Sequence, residues 1–257
     1  MECASAPGCD SSGRTGLTQA FASRLAVGGL AAAAADGVVV AVFDLGDWSA
    51  HAPQAAAIID PTESARAARQ RDPANRDALV LAYALHRLLL AQLLGCTPDR
   101  VGIHRDAKGC PRLPGDRLHT SLSHAGRCVA VAATATGPVG IDIEADARAR
   151  GMHDIAARVA HPEELQSLAG LPAADRDRAL LRLWVRKEAL LKAAGIGLEQ
   201  EMEEFMAPEG VALALPGDTF PGRTAELRML DGVPGWSLAL AAEPGAPVRM
   251  EVCAASP

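Results

Sequence analysis

Aromatic side chains are scarce in this chain: three Trp, one Tyr and four Phe make up 3% of its 257 residues. A core without large rings must rest on Ala, Leu, Val and Ile. With 49% apolar composition it can still be sizeable, as one large domain or two small ones, and the balance fits a helix-rich α+β protein. The six cysteines (Cys3, Cys9, Cys96, Cys110, Cys128, Cys253) form no Cys-x-x-Cys pair and no Cys/His spacing of the zinc-binding kind. That excludes a zinc module and predicts reduced thiols in a cytoplasmic protein. No apolar run reaches the ~20 residues of a membrane span. The stretch from Leu25 to Ala35 imitates a secretory core only faintly, lying far from the N-terminus behind Glu2 and Asp10. Positive charge is also in deficit: 25 Lys and Arg against 31 Asp and Glu leave a net −6, which argues against bulk attraction to nucleic acid or an anionic membrane.

Locally the balance reverses. Five arginines between Arg66 and Arg87 face Asp72 and Asp77, and five basic residues between Arg105 and Arg127 face Asp106 and Asp116, so each patch is net +3. The counterweight is Glu199 to Glu209, with five Glu and no base. Residues 1–34 are rich in Ala, Gly, Ser and Thr without a sustained period, which predicts a flexible Ala-rich extension. The β-branched run from Gly37 to Leu45 predicts a strand, and apolar residues from Leu79 to Leu94 recur at helical spacing before Gly95 and Pro98. Val101 to His104 reads as a short strand. Leu118 to Ser123 and Cys128 to Ala133 flank a turn at Ala125-Gly126, Val139 to Glu144 reads as another strand, and a long helix runs from about Arg176 to Gly195. Short strands punctuated by Pro-Gly turns follow. The predicted organisation is therefore the 1–34 extension, an α+β half over 35–136 and a second α+β half over 137–257.

Within that frame, acids and one lysine carry chemistry. Steps of four residues along the second long helix place Trp184, Glu188 and Lys192 on one face. In the strand before it, Ile141 and Ile143 point one way and Asp142 and Glu144 the other. Taken singly, Glu188/Lys192 is an ordinary i,i+4 surface pair worth ~0.2–0.5 kcal/mol, and the strand acids mark a solvent face. Together they suit Mg²⁺, a hard cation held by one or two carboxylates plus substrate phosphates, with a lysine for a phosphate oxygen whose charge rises as a bond breaks. Metal-assisted phosphoryl transfer is the reading that uses all four. His124, beside Ser123 at a strand end and close in sequence to Arg127, suits phosphate contact.

Three segments in their order and spacing, Ser121-Leu122-Ser123-His124-Ala125-Gly126, Val139 to Glu144 and Trp184 to Ala193, resemble the 4'-phosphopantetheinyl transferase superfamily, specifically its longer two-half class acting on nonribosomal peptide and polyketide synthases. The resemblance spans roughly Val38 to Leu240. It implies an α+β pseudo-dimer, each half a small antiparallel sheet on a long helix with the active site between them. It also implies transfer of phosphopantetheine from coenzyme A to a serine hydroxyl of an apo acyl or peptidyl carrier protein, releasing adenosine 3',5'-bisphosphate. By matching positions, Asp142, Glu144 and Glu188 are the metal-binding acids, and Glu188 or a metal-held water takes the serine proton. Lys192 holds the diphosphate, and His124 with Ser123 contacts a coenzyme A phosphate. The metal is Mg²⁺, although Mn²⁺ accepts the same ligands. Where the family carries Gly-Lys-Pro or Gly-Arg-Pro, this chain reads Gly109-Cys110-Pro111, leaving Lys108 or Arg112 to substitute. Arg76 resembles the arginine for the nucleotide 3'-phosphate, with Arg69 and Arg71 as rivals. The Arg105 to Arg127 patch is a candidate surface for an acidic carrier, and the enzyme is expected to act as a monomer. Two other classes stay open: a coenzyme A- or carrier-binding protein without turnover, and a metal-dependent phosphohydrolase.

Overall fold

A computed structural model describes residues 12–25 and 30–253, and it is a mixed α+β structure. Helices α1 (Ser12–Arg24) and α2 (Leu30–Asp36) lead into strand β1 (Val38–Asp44). The short helices α3 (Leu45–Trp48), α4 (Ala52–Ala55) and α5 (Pro61–Ala67) precede the long α6 (Pro73–Leu94). Strands β2 (His104–Arg105) and β3 (Pro111–Arg112) make a small hairpin, followed by β4 (His119–Ala125) and β5 (Cys128–Thr134). Next come β6 (Gly140–Ala145), α7 (Ala156–Val159), α8 (Pro162–Leu168) and the long α9 (Ala173–Ala194). Strands β7 (Ala212–Ala214), β8 (Thr224–Leu230), β9 (Trp236–Ala242) and β10 (Val248–Cys253) complete the fold.

Two four-stranded sheets result, ordered β10-β1-β5-β4 and β6-β9-β8-β7. Because successive strand side chains point to opposite faces, the near-continuous apolar run of β1 has two partners. Val39, Ala41 and Phe43 pack with Val129 and Val131 of β5 against Leu85 and Leu89 of α6. Val38, Val40 and Val42 face the second sheet through Ile141, Ile143, Leu238 and Leu240. The far face of that sheet, with Leu227, Ala239 and Ala241, is covered by α9. The order of layers is helix, sheet, sheet, helix.

Both long helices stop at a left-handed glycine, Gly95 (φ 63°) and Gly195 (φ 68°), a conformation other residues adopt only with strain. After α9, the N–H groups of Gly195 and Ile196 reach back to the carbonyls of Lys192 and Leu191, which closes the helix end. Among the described residues α6 is the one helix long and apolar enough to cross a membrane, yet 67% of its most apolar window is buried inside the fold. It is a core helix.

The fold departs from sequence expectation at both ends of the chain. Of the predicted extension, residues 1–11 and 26–29 lie outside the described residues, but α1 and α2 are helices that join the core. Leu17, Phe21 and Leu25 are buried at steps of four residues, and Leu30 and Ala34 follow the same rule. Phe21 sits 6.0 Å from both Phe43 and Trp48, ring centre to ring centre. A full burial of such side chains contributes about 1.5–3 kcal/mol each, which outweighs the weak helical propensity of the surrounding Gly, Ser and Thr. At the other end β10 leaves the second sheet altogether and pairs in parallel with β1, Val40 opposite Met250. The 137–257 segment therefore supplies a strand to the sheet of the first half.

Candidate active site

The two sheets meet along the edges of β4 and β6, and the chemistry gathers on that seam. Gly140 starts β6 in direct contact with α9: a Cβ there would lie 1.9 Å from the carbonyl oxygen of Ala189 and 2.4 Å from the nitrogen of Ala193. Only a residue without a side chain lets the helix come so close. The next residue on the same strand face, Asp142, is thereby held under Lys192, one helical turn from Glu188.

Asp142 is only 6% exposed. Its Oδ1 accepts from Lys192 Nζ at 2.6 Å and from the Ser123 hydroxyl at 2.7 Å. Lys192 Nζ also donates to Ser123 Oγ at 2.9 Å, and Ser121 Oγ accepts from the backbone of Ile141 at 3.1 Å. Strand alternation buries Ser121 and Ser123 and leaves His124 exposed. Partial desolvation, and after it the Lys192 ammonium, lowers the His124 pKa from its ordinary value. Burial, and after it the charge of Asp142, pushes the Glu188 carboxyl up, against the opposing pull of Lys192 and Arg148. The two carboxylates thus compete for one ammonium.

Glu144 shares the strand face of Asp142 but is bonded elsewhere. Its Oε2 accepts from Arg148 Nη1 at 3.1 Å, its Oε1 accepts from the backbone of Ala145 at 2.9 Å, and the Arg148 guanidinium lies over the Trp184 ring at 5.2 Å. Trp184, the first residue of the helix stripe, supports Arg148. The expected three-acid set is therefore not gathered: among the described residues no group of three His, Cys, Asp or Glu stands close enough to hold a metal ion. The physical reason is charge pairing, because Glu144 is drawn to Arg148 while Lys192 stands on Asp142. The donor chemistry nonetheless suits a hard cation. Asp142 and Glu188 offer carboxylate oxygens that already share one positive group, and one or two protein carboxylates are what Mg²⁺ or Mn²⁺ ordinarily takes.

Lys192 also lines a cleft of about 430 Å³ walled from both parts of the chain. Its walls carry Arg66 of α5, Arg105, Lys108 and Arg112 of the β2–β3 hairpin, and His119 and Phe220. The hairpin is ordered by Asp106, whose Oδ1 accepts from the backbone of Lys108 at 3.0 Å and of Cys110 at 2.9 Å, and whose Oδ2 accepts from Arg112 at 2.9 Å. Burial pushes the Asp106 carboxyl up, but these bonds outweigh it and hold the group below its usual range. Lys108 reaches the cleft and pairs with Glu199 at 2.5 Å, and the Arg112 guanidinium stacks over Phe220 at 5.0 Å. Both flanks of Cys110 therefore face the cleft.

Arg76 does not. It sits at the start of α6, donates to the carbonyl of Gln70 at 3.4 Å, and is absent from the cleft lining, as are its rivals Arg69 and Arg71. Arg66 of α5 takes the place on the wall. The Arg105 to Arg127 patch also divides: Arg105, Lys108 and Arg112 turn into the cleft, whereas Arg127 is 72% exposed and pairs with Asp44. The basic patches in the sequence pointed to these segments, but nothing local to Arg66 or Arg105 distinguishes them from their neighbours.

A family model described as the 4'-phosphopantetheinyl transferase superfamily matches residues 138–231, which include β6 and α9. The 4'-phosphopantetheinyl transferase HetI of Nostoc is 32% identical over 160 residues, 60% of this chain and 67% of that protein. The 4'-phosphopantetheinyl transferase of Bacillus subtilis is 30% identical over 152 residues, 59% of this chain and 66% of that protein. For the 4'-phosphopantetheinyl transferase psf-1 of Bacillus pumilus the figures are 30% over 131 residues, 50% and 54%. The chain thus spans between about half and two thirds of the length of these relatives. Since the match to the Nostoc protein extends over two thirds of that protein, and the family model falls on the strand and helix that carry the acids and Lys192, the chain belongs to the 4'-phosphopantetheinyl transferase superfamily.

Proposed function

We propose that this protein transfers the 4'-phosphopantetheine arm of coenzyme A to a serine hydroxyl of an apo acyl or peptidyl carrier protein. The observation that carries the reading is Lys192: it lines a cleft walled by Arg66, Arg105, Lys108 and Arg112, and it bonds to Asp142, near Glu188. Four side-chain cations suit the phosphates of the nucleotide half of coenzyme A, because guanidinium forks pair with phosphate oxygens in two-point geometry. The attacking serine oxygen forms a bond to the phosphorus nearer the pantetheine, the bond from that phosphorus to the bridging oxygen breaks, and adenosine 3',5'-bisphosphate leaves. Lys192 turns from Asp142 to the diphosphate and offsets the charge that collects on the departing phosphate. Glu188, its proton affinity raised by burial and by Asp142, accepts the serine proton. Asp142, Glu144 and Glu188 would hold a divalent cation, with Glu144 released from Arg148. Such a cation, when bound, neutralises the diphosphate so that a hydroxyl can approach it.

The two sheet-and-helix units suggest an internal duplication, and we propose a pseudo-dimeric origin with the cleft between the related units. Polyketide and peptide synthase carriers, Mg²⁺ as the metal and action as a monomer in the cytoplasm belong to the same proposal. Intact-mass spectrometry of apo carrier proteins incubated with the protein, Mg²⁺ and coenzyme A is expected to show the gain of one phosphopantetheine arm. No gain across fatty acid, polyketide and peptide carriers would overturn the reading. Free phosphopantetheine released without any carrier would replace it with hydrolysis.

A further inference from the structure

Both basic walls of the cleft hang from one buried side chain outside it. Arg87 of α6 is 2% exposed and lies among carboxylates and carbonyls. Its Nε and Nη2 donate to Glu63 Oε2 at 3.1 and 2.8 Å, and Nη2 also donates to Asp60 Oδ2 at 2.6 Å. On the other side Nη1 donates to the carbonyl of Val101 at 2.6 Å and to that of Pro98 at 3.3 Å. One planar guanidinium therefore ties α6 to two other segments.

Each of these segments leads to the cleft. Asp60 and Glu63 form the N-terminal cap of α5: Asp60 Oδ1 accepts from the backbone of Thr62 and Glu63, and Glu63 Oε2 accepts from the backbone of Asp60. Arg66 lies one turn further along that helix. Val101 runs directly into the hairpin that bears Arg105, Lys108 and Arg112. The two segments approach each other inside the cleft, where Arg66 Nη1 lies 3.7 Å from the place a Cβ on Gly109 would take. Arg105 is braced from the same helix, its guanidinium 5.3 Å from the ring of Tyr83, one turn before Arg87.

We propose that Arg87 is a positioning residue for coenzyme A: it fixes the separation of Arg66 from Arg105, Lys108 and Arg112 so that both walls reach the same phosphates. This rests on the reading of the cleft as the coenzyme A site. Lys108 and Arg112 are paired with Glu199 and Asp106, but Arg66 and Arg105 come from different segments and their like charges favour separation unless something holds the two backbones. The five N–H groups of a guanidinium, fixed in one plane, serve carboxylates on one edge and carbonyls on another, which a lysine ammonium cannot do.

The test compares calorimetric binding of coenzyme A and of adenosine 3',5'-bisphosphate with steady-state transfer. Removing Arg87 alone strands Glu63 in the interior, so the principal variant is Arg87→Met with Glu63→Gln, which removes both charges and keeps an oxygen for the Asp60 N–H. Kd for both ligands and KM for coenzyme A are expected to rise about tenfold, the loss of roughly one charge-assisted phosphate bond, with kcat at saturating coenzyme A unchanged. In an Arg66→Met background the same pair of changes is expected to cost clearly less, because the two sites act through one contact. Arg87→Lys, which keeps the charge on Glu63, carries the same comparison should the double variant not fold, and is expected to fall between. Wild-type affinity in a folded variant, or a loss of kcat at unchanged KM, overturns the assignment while leaving the coenzyme A reading intact. Failure of the wild-type protein itself to bind coenzyme A overturns both.

Discussion

Lys192 cannot serve Asp142 and a phosphate at full strength together, and the neighbouring Glu188 is the residue whose protonation depends on that choice. On the proposed mechanism Glu188→Gln keeps the volume and removes the base, so transfer to the carrier is expected to fall by ~10²–10⁴, read from the rate of carrier mass gain. A loss below tenfold would place the base elsewhere. These four residues are legible in the sequence because their signal is local: strand alternation pairs Asp142 with Glu144, and helical spacing pairs Glu188 with Lys192. What local spacing cannot show is which acid the lysine meets. The structure puts it on Asp142, 50 residues away. A second titratable residue bears on stability. His86 of α6 donates through Nε2 to Thr120 Oγ1 at 2.8 Å, since Thr120 itself donates to the carbonyl of Ala132 at 2.9 Å. Its Nδ1 is buried without a partner, and desolvation, then the charges of Arg105 and Arg87, lowers its pKa to about 3 from an ordinary 6.5. Between these values the unfolded chain binds the extra proton, so the contribution is fully present above about pH 6.5 and is lost as pH falls toward 3. The slope approaches about 1.4 kcal/mol per pH unit. Urea unfolding between pH 5 and 7 should show a flatter dependence for His86→Gln, and an unchanged slope would mean that His86 titrates normally.

Helix α9 owes its seat to a missing side chain on the strand beneath it. Gly140→Ala would drive a methyl into the backbone of Ala189 and Ala193, neither of which can swing aside as a side-chain tip could. Overpacking of this kind costs typically 1–3 kcal/mol, and backbone contacts belong at the upper end or beyond. The expected result is a lower urea midpoint with an unchanged slope, together with slower transfer, because lifting α9 separates Lys192 from Asp142. Wild-type stability would show that the helix has room to move. The cores of α6 and α9 are readable from apolar spacing and terminal glycines. Helix α1 is not readable from composition, since Gly, Ser and Thr dilute the helical signal, and α2, a single short run of alanines, carries no sustained apolar period. The Leu17, Phe21 and Leu25 spacing is present in the sequence, but its target of Phe43 and Trp48 is supplied by tertiary structure alone. The cleft walls were hidden for a similar reason, being assembled by a capping box at α5 and an Asp106-centred turn from residues far apart in the chain.

Across the whole molecule the two sheet-and-helix units are not separable pieces of chain. Residue 136 looks like a boundary because turn residues cluster there and the acidic strand follows. Yet β10, more than 100 residues later, lies parallel to β1 at the open edge of the first sheet, in register from Val38 with Val248 to Phe43 with Cys253. A parallel partner arriving from so far along the chain leaves no local pattern. Two further contacts secure it: Trp48 Nε1 donates to the carbonyl of Cys253 at 3.2 Å, and the N–H of Val38 donates to that of Pro247 at 2.8 Å. Cys253 is itself buried, and desolvation, with the charge of Glu251, pushes its thiol up to about 12, so it acts here as a small apolar residue. Removing residues 247–257 would expose the edge of β1 and part of the intersheet core around Val38, Val40 and Val42. The loss is expected to reach about 3 kcal/mol, from the buried Cys253, the half-buried Val248 and Met250 and the β1 surface they cover, and to leave an aggregation-prone strand edge. A chain ending at residue 246 should therefore unfold at lower urea and show red-shifted fluorescence from Trp48, which is wholly buried in the intact protein. The isolated segment 12–136, which carries Arg66, Arg87, Arg105, Lys108 and Arg112 but lacks β10, should not fold cooperatively. Adding a peptide of residues 247–257 to the shortened full-length chain should restore part of the lost stability in proportion to its concentration, as expected for a ligand that binds only the folded state. If the shortened chain unfolds like the intact one, the parallel pairing contributes little and the two units are autonomous after all.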